Sequence, residues 1–369
     1  MIQTTKKIKF PKDELAHDNI IEWWYFNGHL KDKKGNKYSF MDCLFKADIK
    51  KVKIPFLRKI PFKTHYFSHS ILFDIKKKKS YPKIDYVSLV SKDSFSKPLL
   101  FVNYMNPIIV HGYFNSVIEQ TTKSKYHIKT ENFDLNLTSI KNPLLENGTG
   151  YVNLKTKGTF YYSLTNLKTE GTIKINGKEI KVKGKSWMDH QWADVSYSKD
   201  KWTWFSIQLD NNTEIVCFEY NDGKNKTYLA TISYSNNRQV STNNIKLTPI
   251  NTIWQSNITK AKYPLSWKIE IPSKNIELEV KSLIKKQEMI FGTINYWEGP
   301  LTVKGIMNKK KVKGVGFLEL VGYPMGISRL KFYKKETEKI ITEITSYIKN
   351  KGMEFVKDIL KRKKIKMFF

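Results

Sequence analysis

Cysteine is nearly absent from these 369 residues: Cys43 and Cys217 are the only two, and they lie far apart in the chain. A disulfide framework is therefore not implied, and a metal site of the CxxC kind is excluded. Long apolar runs are missing as well, and no stretch approaches the roughly 20 apolar residues of a membrane-spanning helix. Met1 to Lys7 lacks the apolar core of a secretory signal, so a cytoplasmic protein is expected, in which sequons such as Asn136-Leu137-Thr138 mean little. Acidic residues are scarce beside basic ones: 34 Asp and Glu against 65 Lys and Arg leave a net charge of +31. Such an excess normally points to nucleic acid or an anionic membrane. Here the lysines are spread along the chain and alternate with apolar residues, and no RNA- or DNA-binding motif accompanies them. They read as a solvated basic surface, with no nucleic acid as partner.

Aromatic residues, by contrast, are plentiful at 14%, and they favour β structure. The length suggests two domains. Ile21 to Leu30 and Tyr38 to Phe45 form one predicted hairpin around Asp32 to Lys37. In the first strand Glu22, Trp24 and Phe26 share one face and Trp23, Tyr25 and His29 the other, so neither face is polar and the strand is sandwiched between layers. Lys50 to Phe62, basic and punctuated by proline, reads as a loop. Thr172 to Ile175 and Lys178 to Lys183 flank Asn176-Gly177, a two-residue turn. Short strands continue through both halves with Gly, Asn and Asp turns, and helical periodicity is almost absent before Lys335. The fold class is all-β: two packed antiparallel β-barrels over 12–185 and 186–334, with a short basic amphipathic helical tail over 335–369. Ile340, Ile344 and Ile348 give the tail its helical spacing. It either docks on the barrels or lies on an anionic membrane surface.

Trp187-Met188-Asp189-His190-Gln191-Trp192 gathers a carboxylate, an imidazole and two indoles, followed by the aromatic strand Trp202 to Asp210. One reading is a buried site that polarises an apolar ligand; the other is two core tryptophans around a satisfied Asp-His pair. If Asn211-Asn212 is a two-residue turn, Trp204 sits opposite Glu219 and Ser206 opposite Cys217. His65 and His69 share a strand face but lie roughly 13 Å apart in extended chain, too far to chelate one metal unaided. Glu298 and Glu319 each stand in an apolar strand and read as strand-end or interface hydrogen-bonders rather than catalysts.

Three stretches together resemble one family: Glu22-Trp23-Trp24-Tyr25 with Gly28-His29-Leu30, Trp187 to Trp192, and Tyr296-Trp297-Glu298-Gly299-Pro300 with Gly314 to Tyr323. The chain is similar, from about residue 15 to about residue 330, to the carotenoid 1,2-hydratase (hydroxyneurosporene synthase) and AttH-like family of lipocalin-like proteins. The resemblance implies two lipocalin-like β-barrels packed about a pseudo-twofold axis, with a hydrophobic ligand in a barrel cavity. In the hydratase branch, water adds across an isoprenoid double bond without a cofactor. His190 and Trp192 match the functional histidine and second tryptophan of that branch. A Tyr-x-Asp on the second strand after the motif supplies the acid there; this chain has Cys217-Phe218-Glu219 in its place.

The chemistry can be weighed separately. Protonating an alkene carbon requires a carboxyl kept neutral by burial, and the resulting cation is stabilised by indole or phenol faces. The expected catalytic residues are Glu219 as acid, His190 assisting water, and Asp189. The expected ligand-binding residues are Trp192, Trp187, Trp204, Trp24, Tyr25 and Cys217, with no metal and no cofactor. Three readings stay open: a hydratase or lyase acting on an isoprenoid or other long apolar ligand, a non-catalytic lipid or isoprenoid carrier, and a basic protein recruited to a membrane surface.

Overall fold

The structure, a computed structural model, describes residues 7–48, 50–51, 64–86, 88–105, 116–197, 200–250, 252–291, 294–328, 330, 332, 334 and 365–366. The loop expected over Lys50 to Phe62 and the helical tail expected from Lys335 lie almost wholly outside these residues. Nearly everything described is antiparallel β-sheet. The first sheet is built from β1 (Ile21–Asp32), β2 (Lys37–Asp48), β3 (Thr64–Asp74), β4 (Lys79–Asp85), β5 (Leu89–Ser91), β6 (Phe101–Met105), β7 (Ser116–Thr122), β8 (Lys125–Lys129), β9 (Phe133–Ser139), β10 (Leu144–Leu145), β11 (Tyr151–Asn153), β12 (Gly158–Ile175) and β13 (Lys178–Ala193). The second contains β14 (Lys201–Leu209), β15 (Glu214–Asn221), β16 (Lys226–Ser233), β17 (Gln239–Thr242) and β18 (Lys246–Pro249). A small separate pair, β19 (Ile253–Gln255) and β20 (Lys262–Pro264), precedes its remaining strands. These are β21 (Ser266–Ile271), β22 (Ile276–Ser282), β23 (Glu288–Phe291), β24 (Ile294–Met307) and β25 (Lys310–Val321). A two-residue strand, β26 (Ile365–Lys366), pairs with the edge strand β5.

Each sheet curls into a half-barrel around its own core. Trp24, Phe26, Leu44, Leu135, Tyr162, Met188 and Trp192 belong to the first core; Phe205, Ile215, Cys217, Trp267, Trp297 and Leu318 belong to the second. A third apolar cluster lies between the two sheets and takes the alternate residues of the same strands, among them Tyr25, Cys43, Trp187, Trp204 and Phe218. Period-2 alternation with both faces buried explains why β1 carries aromatics on either side. The expected barrel boundary at 185/186 falls inside β13, which pairs along its length with β1 and β12. The chain changes sheets at residues 194–200.

Turn chemistry decides register. Asn176 (φ 51°) and Gly177 (φ 78°) both adopt left-handed conformations, and Ile175 pairs with Lys178, so this hairpin has the expected two-residue turn. The Asn211-Asn212 turn is different. Only Asn212 has a positive φ, 56°, and the Leu209 N–H bonds to the Thr213 carbonyl, which makes Asp210-Asn211-Asn212 a three-residue loop. The pairing is one residue off the expectation: Trp204 faces Phe218, Ser206 faces Val216, and Glu219 faces Thr203. A one-residue slip changes the face of every side chain.

Candidate active site

A cavity of about 260 Å³ opens between the two sheets, against the outer face of each curl rather than inside either. Its floor on the first sheet is a row of directly paired residues. Asp189 on β13 lies beside Tyr25 on β1, then Cys43 on β2 and His69 on β3. The second sheet opposes it with another row: Phe218 on β15, Trp204 on β14, Glu319 on β25 and Glu298 on β24. Two hydrogen-bonded contacts stitch the rows together. The Tyr25 hydroxyl donates to Glu298 Oε1 at 2.5 Å, and His69 Nδ1 lies 2.6 Å from the Tyr296 hydroxyl.

Carboxyl groups dominate the polar part of the wall. Asp189 is 4% exposed and accepts from the Ser163 hydroxyl (2.6 Å), Trp187 Nε1 (2.6 Å) and the Tyr161 hydroxyl (2.9 Å). Burial nevertheless pushes its pKa up to about 7, past what those donors restore. Glu298 and Glu319 stand directly opposite each other across β24 and β25. Burial raises both, and the charge of Glu319 raises Glu298 further against the opposing Tyr25 hydrogen bond. Trp202 Nε1 donates to Glu319 Oε2 at 3.2 Å. Two adjacent buried carboxyls resist losing both protons, so the pair holds one near neutrality. His69 is kept neutral by burial, which lowers its pKa to about 3, and its Nε2 has no hydrogen-bond partner among the described residues. Burial also pushes the Cys43 thiol well up, which removes it as a nucleophile.

The residues singled out in the sequence divide between faces. Asp189, Tyr25 and Trp204 line the cavity, and Trp187 supports Asp189 from behind. His190, Trp192 and Trp24 point the opposite way, into the first sheet's core. There His190 Nε2 lies 2.9 Å from Glu22 Oε1, His17 Nδ1 lies 2.8 Å from the same oxygen, and Lys46 Nζ lies 3.0 Å from Oε2. Burial works to raise Glu22, but the His17 and His190 hydrogen bonds and the charges of His190 and Lys46 outweigh it and bring Glu22 down to about 2. His17, Glu22 and His190 bring potential metal ligand atoms within 4.8 Å of one another, yet Lys46 already neutralises the carboxylate. The cluster reads as a hydrogen-bonded ion pair closing the core. Cys217 lies in the second core. Glu219 shares its face, away from the cavity, pairing with Lys226 Nζ (3.0 Å) and accepting from the Tyr228 hydroxyl (2.8 Å). The slipped register is what takes Glu219 out of the site.

Conversely, the cavity gathers His69, Tyr296, Glu298 and Glu319, which sequence reasoning had not assigned to it. The available signal was an ionisable residue in an otherwise apolar strand.

Comparison with known proteins places this geometry. The model of a family described as AttH-like matches residues 1–323. Kievitone hydratase of Fusarium solani subsp. phaseoli is 26% identical over 223 residues, covering 57% of this chain and 63% of that protein. Dehydratase asqC of Emericella nidulans is 24% identical over 205 residues, covering 51% and 58%. The chain thus spans less than two thirds of either relative's length. Among solved structures, an AttH-type protein of Nitrosomonas europaea superposes with a TM-score of 0.70 at 21% identity, covering 87% of this chain and 98% of that one. Kievitone hydratase of Nectria haematococca gives 0.68 at 19% identity, covering 88% and 95%. At those identities the likeness is one of fold.

Proposed function

We propose, given that the chain belongs to the AttH-like family, that it is a hydratase or dehydratase acting at a C=C bond of a ligand with a largely apolar, isoprenoid-like body. One observation carries the reading: three carboxyls with raised pKa values, Asp189, Glu298 and Glu319, meet in one aromatic cavity between the sheets. A carrier needs only the aromatic wall. Paired carboxyls in a dry site are costly to bury and are what proton transfer to carbon requires.

In the hydration direction, the carboxyl of the Glu298–Glu319 pair that holds the shared proton delivers it to an alkene carbon. The π electrons form the new C–H bond and leave a cation on the neighbouring carbon. Trp204 and Trp202 present indole faces to that charge. Water adds to the cation, and its surplus proton returns to the carboxylate just created, so the pair ends as it began. Dehydration is the same path reversed. Asp189, neutral and fixed by three donors, orients Tyr161 and through it Trp204, whose Nε1 donates to the Tyr161 hydroxyl at 2.9 Å.

The test is incubation with kievitone and a panel of prenyl-bearing alkenes in ¹⁸O-labelled water, read by mass spectrometry. Incorporation of one labelled oxygen, lost in both Glu298→Gln and Glu319→Gln while the alkene still binds, is the expected result. No incorporation, or incorporation unchanged in both variants, overturns the assignment. The membrane surface is a second proposal, for the basic tail: the full chain is expected to float with anionic vesicles and a chain ending at residue 334 is not, and equal flotation of both would overturn it. Among the described residues no helix is long and apolar enough to cross a membrane.

A further inference from the structure

The chain carries 65 lysines and arginines, yet among the described residues none lines the cavity. Four acidic residues do: Asp189, Asp200, Glu298 and Glu319. Only Asp200 is matched by a cation, Lys157, and it also accepts from the Tyr220 hydroxyl at 2.6 Å. Among the described residues, Glu298 Oε2 and Glu319 Oε1 accept no hydrogen bond. His69, 2% exposed, also lines the cavity, and its Nε2 has no partner among the described residues. If Nδ1–H donates to Tyr296, that Nε2 offers a lone pair. The surrounding wall is aromatic, with Trp23, Trp202 and Trp204 as its largest faces.

Open carboxyl oxygens beside indole faces, with Lys157 already committed to Asp200 and the Tyr197 ring, disfavour an anion. A purely hydrocarbon ligand would leave the two open carboxyl oxygens without a donor, and a protonated amine supplies charged ones. We propose that this cavity recognises a ligand bearing a positive charge, an amine protonated at neutral pH on an aromatic or otherwise apolar body. The ammonium sits between the Glu298–Glu319 pair and the indole faces, donating to the open carboxylate oxygens and to His69 Nε2. Its charge is met by the ionised member of the pair, while the other keeps the proton. Other titratable groups lining the cavity include Asp189, held by its three donors, the buried Cys43 thiol, Asp200, paired with Lys157, and the Tyr25 and Tyr296 hydroxyls, both committed to hydrogen bonds. The inference rests on the cavity being the ligand site, as the proposed function has it, but not on turnover.

Three probes with one body and different ends separate the possibilities: tryptamine, tryptophol and indole-3-acetate, titrated calorimetrically into the full chain at pH 7. Tryptamine is expected to bind about tenfold or more tightly than tryptophol, the scale of a desolvated cation–π contact joined to an ion pair. Indole-3-acetate is expected to bind weakest. In a Glu298→Gln, Glu319→Gln double variant the tryptamine preference should collapse while tryptophol affinity stays. Equal binding of tryptamine and tryptophol by the unaltered chain overturns the charge inference alone. A preference that survives in a folded double variant does so too. If none of the three binds, the cavity is not the ligand site, and the proposed function falls with the inference.

Discussion

Replacing Asp189 by asparagine should make the protein more stable at neutral pH and leave it unchanged in acid. The folded carboxyl keeps its proton up to about pH 7, whereas in the unfolded chain it ionises near its ordinary 3.8. Between those values the folded state binds more protons than the unfolded one, so stability falls as pH rises through the window. Below it the group contributes nothing, and above it the loss is complete. The difference from 3.8 to about 7, at about 1.4 kcal/mol for each tenfold change in proton affinity, amounts to about 4 kcal/mol. Asparagine copies the protonated acid. Its carbonyl can accept from Ser163 and Trp187, and its amide can donate to the Tyr161 oxygen, which already accepts from Trp204. Urea midpoints of both proteins at pH 3, 5.5 and 8 therefore should coincide at the lowest pH and separate progressively above it. Parallel curves across the range would refute the reasoning, because they would mean that Asp189 is ionised in the folded chain.

Glu219→Gln should leave turnover and ligand affinity unaltered and cost about 1 kcal/mol or less, since its pair with Lys226 is at the surface; a loss of turnover on the alkene panel would return Glu219 to the site. His190→Ala should destabilise by about 3 kcal/mol or more in urea denaturation, because it strips a buried carboxylate of one partner and opens space in the first core. Gly184→Ala should lower stability by about 3 kcal/mol or prevent folding, seen as loss of soluble yield and of the thermal transition. A Cβ there would lie 1.9 Å from the His29 carbonyl oxygen across the β1–β13 ladder, where backbone must move.

Fold class was readable because strand signals act locally. Asn176-Gly177 dictates its own turn, and double-faced aromatics in β1 announce a layer on each side whatever the rest of the chain does. The site was less readable for two local reasons. Asp189, His190 and Trp192 look like one constellation in sequence, but alternation along β13 sends Asp189 to the cavity and its neighbours to the core. A single extra loop residue at Asp210-Asn211-Asn212 then moved Glu219 to the wrong face. Glu298 and Glu319 were expected as strand-end or interface hydrogen-bonders, and only their direct pairing across β24 and β25 brings the two carboxyls together. That pairing depends on register far from either residue.

The third cluster, shared between two sheets that each possess a sealed core, separates two demands that most enzymes must meet with the same side chains. Along β1, Trp24 and Phe26 hold the scaffold together while Trp23 and Tyr25 face the cavity. One strand thus carries two interleaved messages that can be edited apart. Libraries that randomise only the odd-numbered positions from Trp23 to Tyr25 and from Asp189 to Gln191 should reshape selectivity while sparing the architecture. Members altered at the even-numbered ones should mostly fail before they can be assayed.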